Sequence, residues 1–164
     1  MKSKRWSLRR PRFLVLSGIF TLGAIASGWY ALSLERQNAA VSYCRRQNLA
    51  NIFVFNALPS SASAAGPLKP ALAEAVLPSA ICYRWIDAHT ETSTAIGEYR
   101  ARVANMTLEQ YEELAGGVLK SLGDTYNRTE DRISSRQFYA LVLVAVLNML
   151  ALASQSRHLQ QDET

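Results

Sequence analysis

The hydrophobic positions of this chain concentrate in two uncharged runs, one near each end of the sequence. The first run covers residues 13–34 and contains no Asp, Glu, Lys or Arg. As a helix, a run of this length measures about 33 Å, enough to cross a hydrocarbon core of about 30 Å. Trp29 and Tyr30 lie near its end, and aromatic rings favour the interface between membrane and water. The pattern therefore predicts a transmembrane helix over residues 13–34.

Small residues within the first run form two pairs at a spacing of four, Gly23 with Ser27 and Ala24 with Gly28. Small residues on a helix face let a second helix approach closely. We therefore predict helix packing at these four positions. The alternative is that they reflect only the usual composition of membrane helices.

The first run also has the features of a cleavable signal peptide. A basic segment precedes it, and Ala24-Ile25-Ala26 fits the small-x-small rule for cleavage sites. However, the apolar pattern continues beyond Ala26 as far as Leu34. This continuation favours an uncleaved anchor over a cleaved signal.

The second apolar run covers residues 138–153 and contains a single polar residue, Asn148. With Gln137 and Ser154 it forms a helix of about 27 Å, at the short end for a membrane span. Phe138 and Tyr139 at its start match the aromatic level of the first run. We predict a second transmembrane helix over residues 137–154, with Asn148 hydrogen-bonded to another helix. The alternative is a buried core helix of a water-soluble domain.

The residues between the two runs are patterned as helices, and no continuous strand-like alternation occurs. Apolar residues recur every three or four positions from Ile81 to Val103, and again from Leu108 to a predicted helix end at Gly123. A linker rich in proline and serine covers residues 57–70. The predicted fold is all-α: two transmembrane helices, arranged as a helical hairpin, carry a small extracytoplasmic helical domain over residues 35–136.

The charge pattern supplies the predicted orientation. The net charge is +5, but six cations lie in the first twelve residues, and residues 35–136 carry eleven cations and eleven acids. A cationic segment before a membrane helix stays in the cytoplasm, so residues 1–12 and, after two crossings, the tail 155–164 are predicted to be cytoplasmic. The predicted membrane is a bacterial inner membrane. The balanced charge of residues 35–136 argues against a nucleic-acid partner. Arg128, Arg132 and Arg136 oppose this orientation locally.

The only cysteines, Cys44 and Cys82, both fall in the predicted extracytoplasmic region. That compartment permits disulfides, so we predict that they pair; two buried free thiols are the alternative. The two histidines, His89 and His158, are far apart in the sequence, and no Cys or His cluster has metal-ligand spacing. We therefore expect neither a metal nor a cofactor.

The sequence contains no Gly-rich phosphate loop, nucleophile elbow or HExxH motif, and its paired carboxylates fit a solvated helix face. We therefore expect a protein that is not an enzyme. The leading hypothesis is an accessory or assembly subunit of a larger membrane complex, with other membrane subunits, the lipid bilayer or further copies of itself as partners. Two alternatives stay open: a membrane sensor or regulator that signals through a partner, and a small membrane-acting protein of the phage lysis type.

Overall fold

The computed structural model describes residues 11–57, 74, 76–87, 90–105 and 108–162. Helix α1 covers Pro11–Ala57, α2 covers Ala80–Tyr83, α3 covers Glu91–Arg102 and α4 covers Leu108–Asp162. One 3-10 turn, Val103–Asn105, follows α3, and the described ranges contain no strand. The prediction of an all-α fold is confirmed. The predicted linker 57–70 lies outside the described residues except for Ala57, as does nearly all of the basic segment 1–12.

Helix α1 is 47 residues long and extends well beyond the first apolar run. No glycine or proline follows Gly28 within the helix. The continuous helix through Asn56 agrees with the absence of a breaker in this stretch.

Helix α4 is 55 residues long and passes through Gly123 without interruption. The predicted helix end at Gly123 is therefore wrong. A Cβ atom added at Gly123 would lie 3.4 Å from Nδ2 of Asn48 on α1. This distance is ordinary van der Waals contact, so Gly123 lies against α1 and the helix continues although glycine costs about 1 kcal/mol relative to alanine.

The predicted helical face from Ile81 to Val103 is divided between α2 and α3. Thr90 has an extended backbone (φ −91°, ψ 158°), and its side-chain oxygen accepts a hydrogen bond from the Ser93 N–H at 3.4 Å. This is the geometry of a helix N-cap, which marks a new start rather than the interior of one helix. The correct description is therefore a short helix, a turn and a capped second helix.

The chain divides into two compact units, and each contains part of α1 and part of α4. The first comprises residues up to Arg36 together with Ser134 onward, and the second comprises Gln37–Ile133. In the second unit, α1, α3 and α4 surround a core that includes the fully buried Val41, Ile96, Tyr99 and Leu122. Asn48 Nδ2 of α1 donates a hydrogen bond to the Leu119 carbonyl oxygen of α4 at 3.0 Å.

A disulfide joins α1 to α2 within the second unit. Cys44 and Cys82 have their Cα atoms 5.5 Å apart, and each is 1% exposed. The predicted pairing of the two cysteines is therefore supported by the structure. The bridge fixes the short α2 against a much longer helix, which compensates for the few contacts that a four-residue helix can make.

Candidate functional site

The two long helices of the first unit meet along a seam of mostly small residues. Buried or half-buried residues recur along each helix at spacings that alternate between three and four. This is the pattern of two helices that pack at a small angle. We call these positions the seam: Ser17, Phe20, Ala24, Ser27, Ala31 and Leu34 on α1, with Ala140, Val144, Leu147, Ala151 and Ser154 on α4.

Two contacts define how α1 and α4 align in the first unit. A Cβ atom added at Gly23 would lie 3.2 Å from Cδ1 of Leu147. Gln155 Nε2 donates a hydrogen bond to Ser17 Oγ at 3.0 Å. Because the position on α4 falls as the position on α1 rises, the two helices run antiparallel within this unit.

The four small residues predicted to mediate packing occupy different environments. Ala24 is buried and Ser27 is half-buried, and both belong to the seam. Gly23 faces Leu147, whereas a Cβ atom at Gly28 would have no neighbouring atom within 4 Å. The contact surface on α1 therefore alternates spacings of three and four rather than following two pairs at a spacing of four.

Outside the seam, the first unit exposes large apolar side chains. Both long helices are long and apolar enough to cross a membrane, by length and composition. Only 17% of the most apolar window of α1 and 11% of that of α4 is buried. A core helix of a water-soluble domain is mostly buried, so these segments have the burial pattern of helices that contact lipid or other proteins.

Asn148 lies on the exposed side of α4, away from the seam. Leu141, Ala145 and Leu152 are exposed at spacings that put them on the same side of the helix, and together with Asn148 we call them the Asn148 face. Among the described residues, the Asn148 side chain has no hydrogen-bond partner. The polar amide therefore lies in the middle of an apolar surface that α1 does not cover.

The four aromatic residues predicted to lie at the interface are all exposed. The rings of Phe138 and Tyr139 have centroids 5.9 Å apart, and Trp29 is 74% exposed. Tyr30 of α1 and Tyr139 of α4 line one cleft of about 300 Å³. We call it the Arg136 cleft, and its lining residues are Ser27, Tyr30, Arg136, Tyr139, Ala140 and Leu143.

The sequence pattern does not mark Arg136 as a site residue, but only as a charge that opposes the predicted orientation. One signal could have found it: Arg136 precedes Tyr139 by three residues, so their side chains share one side of α4. The contribution of Tyr30 depends on how α1 packs, which the sequence does not specify.

The second unit has a larger and more polar cleft of about 690 Å³, lined by residues 84–87 and 90–92 on one side and by α4 on the other. Arg84, Arg128 and Arg132 line it together with Asp87 and Glu91, so its cations outnumber its carboxylates. The guanidinium of Arg84 lies 5.3 Å from the centre of the Trp85 ring, and Arg128 Nε donates to the Asp124 carbonyl oxygen at 3.2 Å. These contacts orient two of the three cations.

In the wall of this cleft, the buried Thr92 forms a hydroxyl cluster with the half-buried Ser121 and Thr125, which joins α3 to α4. The Thr92 side-chain oxygen lies 2.6 Å from Ser121 Oγ and 2.7 Å from Thr125 Oγ1, and Thr92 is 1% exposed. Buried hydroxyl groups that satisfy one another avoid the cost of a lost hydrogen bond. The apolar periodicity between Ile81 and Val103 gives no sign of these two partners of Thr92.

In the second unit, the altered pKa values of three titratable groups have structural causes. Ser42 Oγ donates a hydrogen bond to Glu130 at 2.6 Å and Arg45 pairs with it at 2.6 Å, which lowers the pKa of Glu130. Burial raises the pKa of Tyr126 to about 12. The pKa of Tyr99 is also raised, mainly by burial and to a smaller extent by the neighbouring Tyr111. Glu130 joins α4 to α1, and none of these three groups lines either cleft.

The described part of the chain contains no group of three or more His, Cys, Asp or Glu side chains that could hold a metal ion. The side chains of His89 and His158 lie outside the described residues. The candidate functional features are therefore the Asn148 face, the Arg136 cleft and the polar cleft of the second unit. No protein-family model, curated protein or solved structure matches this chain.

Proposed function

We propose that this chain is a non-enzymatic, integral-membrane accessory or assembly subunit of a larger membrane protein complex. Residues 13–34 and 137–154 serve as its two transmembrane helices. The chain acts through helix–helix contacts in the bilayer and through protein contacts of the extracytoplasmic residues 35–136. The exposed apolar side chains of the first unit support membrane insertion, because in water such a surface would drive aggregation.

The observation that carries the proposal is the exposed position of Asn148 on an apolar helix surface. Hydrocarbon offers no hydrogen bond to a side-chain amide, whereas a neighbouring membrane helix does, and such bonds contribute about 1–2 kcal/mol in model helices. The seam already occupies the side of α4 that packs against α1. The Asn148 face therefore favours a further helix, supplied by a partner subunit.

For the orientation, we propose that residues 1–12 and 155–164 are cytoplasmic and that the membrane is a bacterial inner membrane. The cationic segment before the first helix supports this orientation, because the first helix usually dominates topology. The disulfide between Cys44 and Cys82 gives independent support, since disulfides persist in oxidising compartments outside the cytoplasm. The burial of Ala31 and Leu34 also favours retention of the first helix over cleavage after Ala26, because a cleaved signal does not pack within the mature protein.

Native sizing of the full chain tests the accessory role. The tagged protein is extracted in mild detergent, and the mass of the purified particle is measured by light scattering and native mass spectrometry. We expect a second membrane protein to co-purify with the wild type and to be lost from the variant Asn148→Leu. The control Met149→Leu alters an exposed neighbouring residue without removing a polar group, and it should retain the partner.

Two results would count against the proposal. A particle with the 18.2 kDa mass of one chain would contradict a role in any assembly. A particle that contains only copies of this chain, and that dissociates in Asn148→Leu, would replace the accessory role by self-association through the Asn148 face.

The polar cleft of the second unit favours one further candidate, a sensor or regulator that binds a small anionic molecule. Three arginines and two carboxylates line the cleft, so its lining carries a net positive charge. Trp85 adds an aromatic surface. Thermal unfolding of the full chain with and without millimolar citrate or inorganic phosphate tests this function. A higher unfolding temperature that is abolished in Arg84→Gln supports it, and no shift with either anion counts against it.

A further inference from the structure

We infer that the Arg136 cleft binds the headgroup of an anionic phospholipid, with the phosphate beside Arg136 and the acyl chains along Leu143. This inference rests on the membrane insertion proposed above. It names a ligand and a site that the accessory role does not itself require.

The chemistry of the lining residues fits a phosphate group. Arg136 supplies a guanidinium, whose N–H groups match the geometry of phosphate oxygens. Ser27, Tyr30 and Tyr139 supply hydroxyl groups that can donate hydrogen bonds to the same oxygens. Ala140 forms part of the apolar lining, so the cleft combines a polar end with an apolar one.

The charge of the cleft favours an anionic headgroup over a zwitterionic one. Arg136 is its only charged lining residue, and no carboxylate lines it. A choline or ethanolamine cation would therefore find no acidic partner and would lie in the field of Arg136. A headgroup with net negative charge, such as that of phosphatidylglycerol, has no such conflict.

The position of the cleft fits a lipid more closely than a soluble ligand. Arg136 directly precedes the predicted membrane helix 137–154, and Tyr139 and Leu143 follow it at spacings of three and four on one side of α4. Both of these residues are exposed, so a lipid beside the helix pair would contact them directly. A long arginine side chain at the end of a membrane helix places its charge at headgroup depth.

The inference also accounts for a feature that the proposed orientation leaves unexplained. Cations on the outer side of a membrane helix oppose the usual charge bias, and Arg136 is the one closest to the second apolar run. Within the described residues, no acidic side chain forms an ion pair with Arg136. A lipid phosphate supplies the missing counter-charge at that point.

Lipid binding to the purified full chain tests the inference. Detergent-solubilised wild type is titrated with phosphatidylglycerol or phosphatidylcholine, and bound lipid is counted by native mass spectrometry. The matched variants are Arg136→Gln and Arg36→Gln, which remove the same charge from an exposed residue of the first unit, inside and outside the cleft. We expect the wild type to prefer phosphatidylglycerol, and Arg136→Gln to weaken its binding about tenfold, as expected for a lost charge-assisted hydrogen bond. Arg36→Gln should bind as the wild type does.

Equal binding by Arg136→Gln and the wild type would overturn the inference, as would equal affinity of the wild type for the two lipids. Glycerol phosphate, which has no acyl chains, is added as a competitor. We expect no displacement at equimolar concentration, and full displacement would identify a free phosphate compound as the ligand instead. Far-UV circular dichroism of each variant verifies that it is folded.

A parallel assay separates this inference from the proposed function. Membranes that contain the wild type or Arg136→Gln are washed at high pH and centrifuged. Wild type in the supernatant would refute membrane insertion itself. Both proteins in the pellet, with unchanged lipid binding by Arg136→Gln, would refute only the lipid site.

Discussion

Replacement of Gly23 by isoleucine perturbs the seam of the first unit at a defined contact. A Cβ atom at this position would lie 3.2 Å from Leu147 Cδ1, closer than the 3.5–4.0 Å or so at which two carbon atoms attract most strongly. Alanine requires a shift of a few tenths of an ångström. Isoleucine adds three further heavy atoms and a stiff χ1 angle, so Leu147 must change rotamer or the helices must separate. Overpacking of this kind costs about 1–3 kcal/mol.

Gly28→Ile is the matched control for this substitution. It introduces the same side chain into the same apolar run, but a Cβ atom at Gly28 has no neighbouring atom within 4 Å. The two variants gain the same apolar surface and the same change in helix propensity. The difference between them therefore isolates the contact with Leu147.

Thermal unfolding of the full chain in mild detergent, followed by circular dichroism, measures the difference. We expect Gly23→Ile to unfold at a lower temperature than Gly28→Ile. The second substitution Leu147→Ala should restore part of the loss, because it removes the side chain that isoleucine displaces. Equal unfolding temperatures for the two glycine variants would refute the packing described for the seam.

Three further predictions concern the second unit. Joint replacement of Cys44 and Cys82 by alanine should lower the free energy of unfolding by about 4 kcal/mol, because the bridge connects residues 38 positions apart. Denaturant titration measures this loss, and unchanged stability would contradict a formed disulfide. The pKa of Glu130 is lowered in the folded state, so its stabilising effect is present above the ordinary value of 4.5 and is lost as the pH falls through the folded value. The difference in the free energy of unfolding between wild type and Glu130→Gln should therefore narrow as the pH falls from 4.5 through the folded pKa. A difference that does not depend on pH would refute the reasoning. Gly117→Ala should stabilise the chain by about 1 kcal/mol, because no atom lies within 4 Å of its Cβ position; a loss of stability on thermal unfolding would contradict the open space.

The helical class and the extent of the first helix could be predicted because both depend on local signals. The sequence alone shows two long uncharged runs and no helix breaker after Gly28 in the first helix. Neither signal requires knowledge of a tertiary contact. The cysteine pairing was predictable because only one intramolecular partner exists for each residue.

The continuity of α4 could not be predicted from local propensity, because glycine is common at helix ends and the sequence does not show what packs around it. Gly123 resembles a helix end, but it lies against α1, where a Cβ atom would be in ordinary contact, 3.4 Å from Asn48 Nδ2. The division between α2 and α3 had a local signal in Thr90, whose capping role was hidden by the apolar periodicity around it. At Gly123 local propensity disagrees with the observed helix, whereas at Thr90 two local signals, the helix cap and the apolar periodicity, disagree with each other.

The candidate site could be predicted from the sequence only in part, because it depends on how α1 packs against α4. The aromatic residues Tyr30 and Tyr139 could be marked individually, but their meeting in one cleft with Arg136 requires the alignment of α1 with α4. Asn148 could be marked as unusual, whereas the side of the helix on which it lies depends on which residues form the seam.

Labelling of single cysteines in intact cells tests most directly whether both apolar helices cross the membrane with residues 35–136 outside. Cysteine replaces Ala101 of α3 in one variant and Ser156 of α4 in another; both positions are exposed, and the native cysteines are paired and buried. A maleimide that cannot cross the membrane should label the Ala101→Cys variant in intact cells and the Ser156→Cys variant only after permeabilisation. Labelling of both variants in intact cells, or of the Ser156→Cys variant alone, would contradict the account.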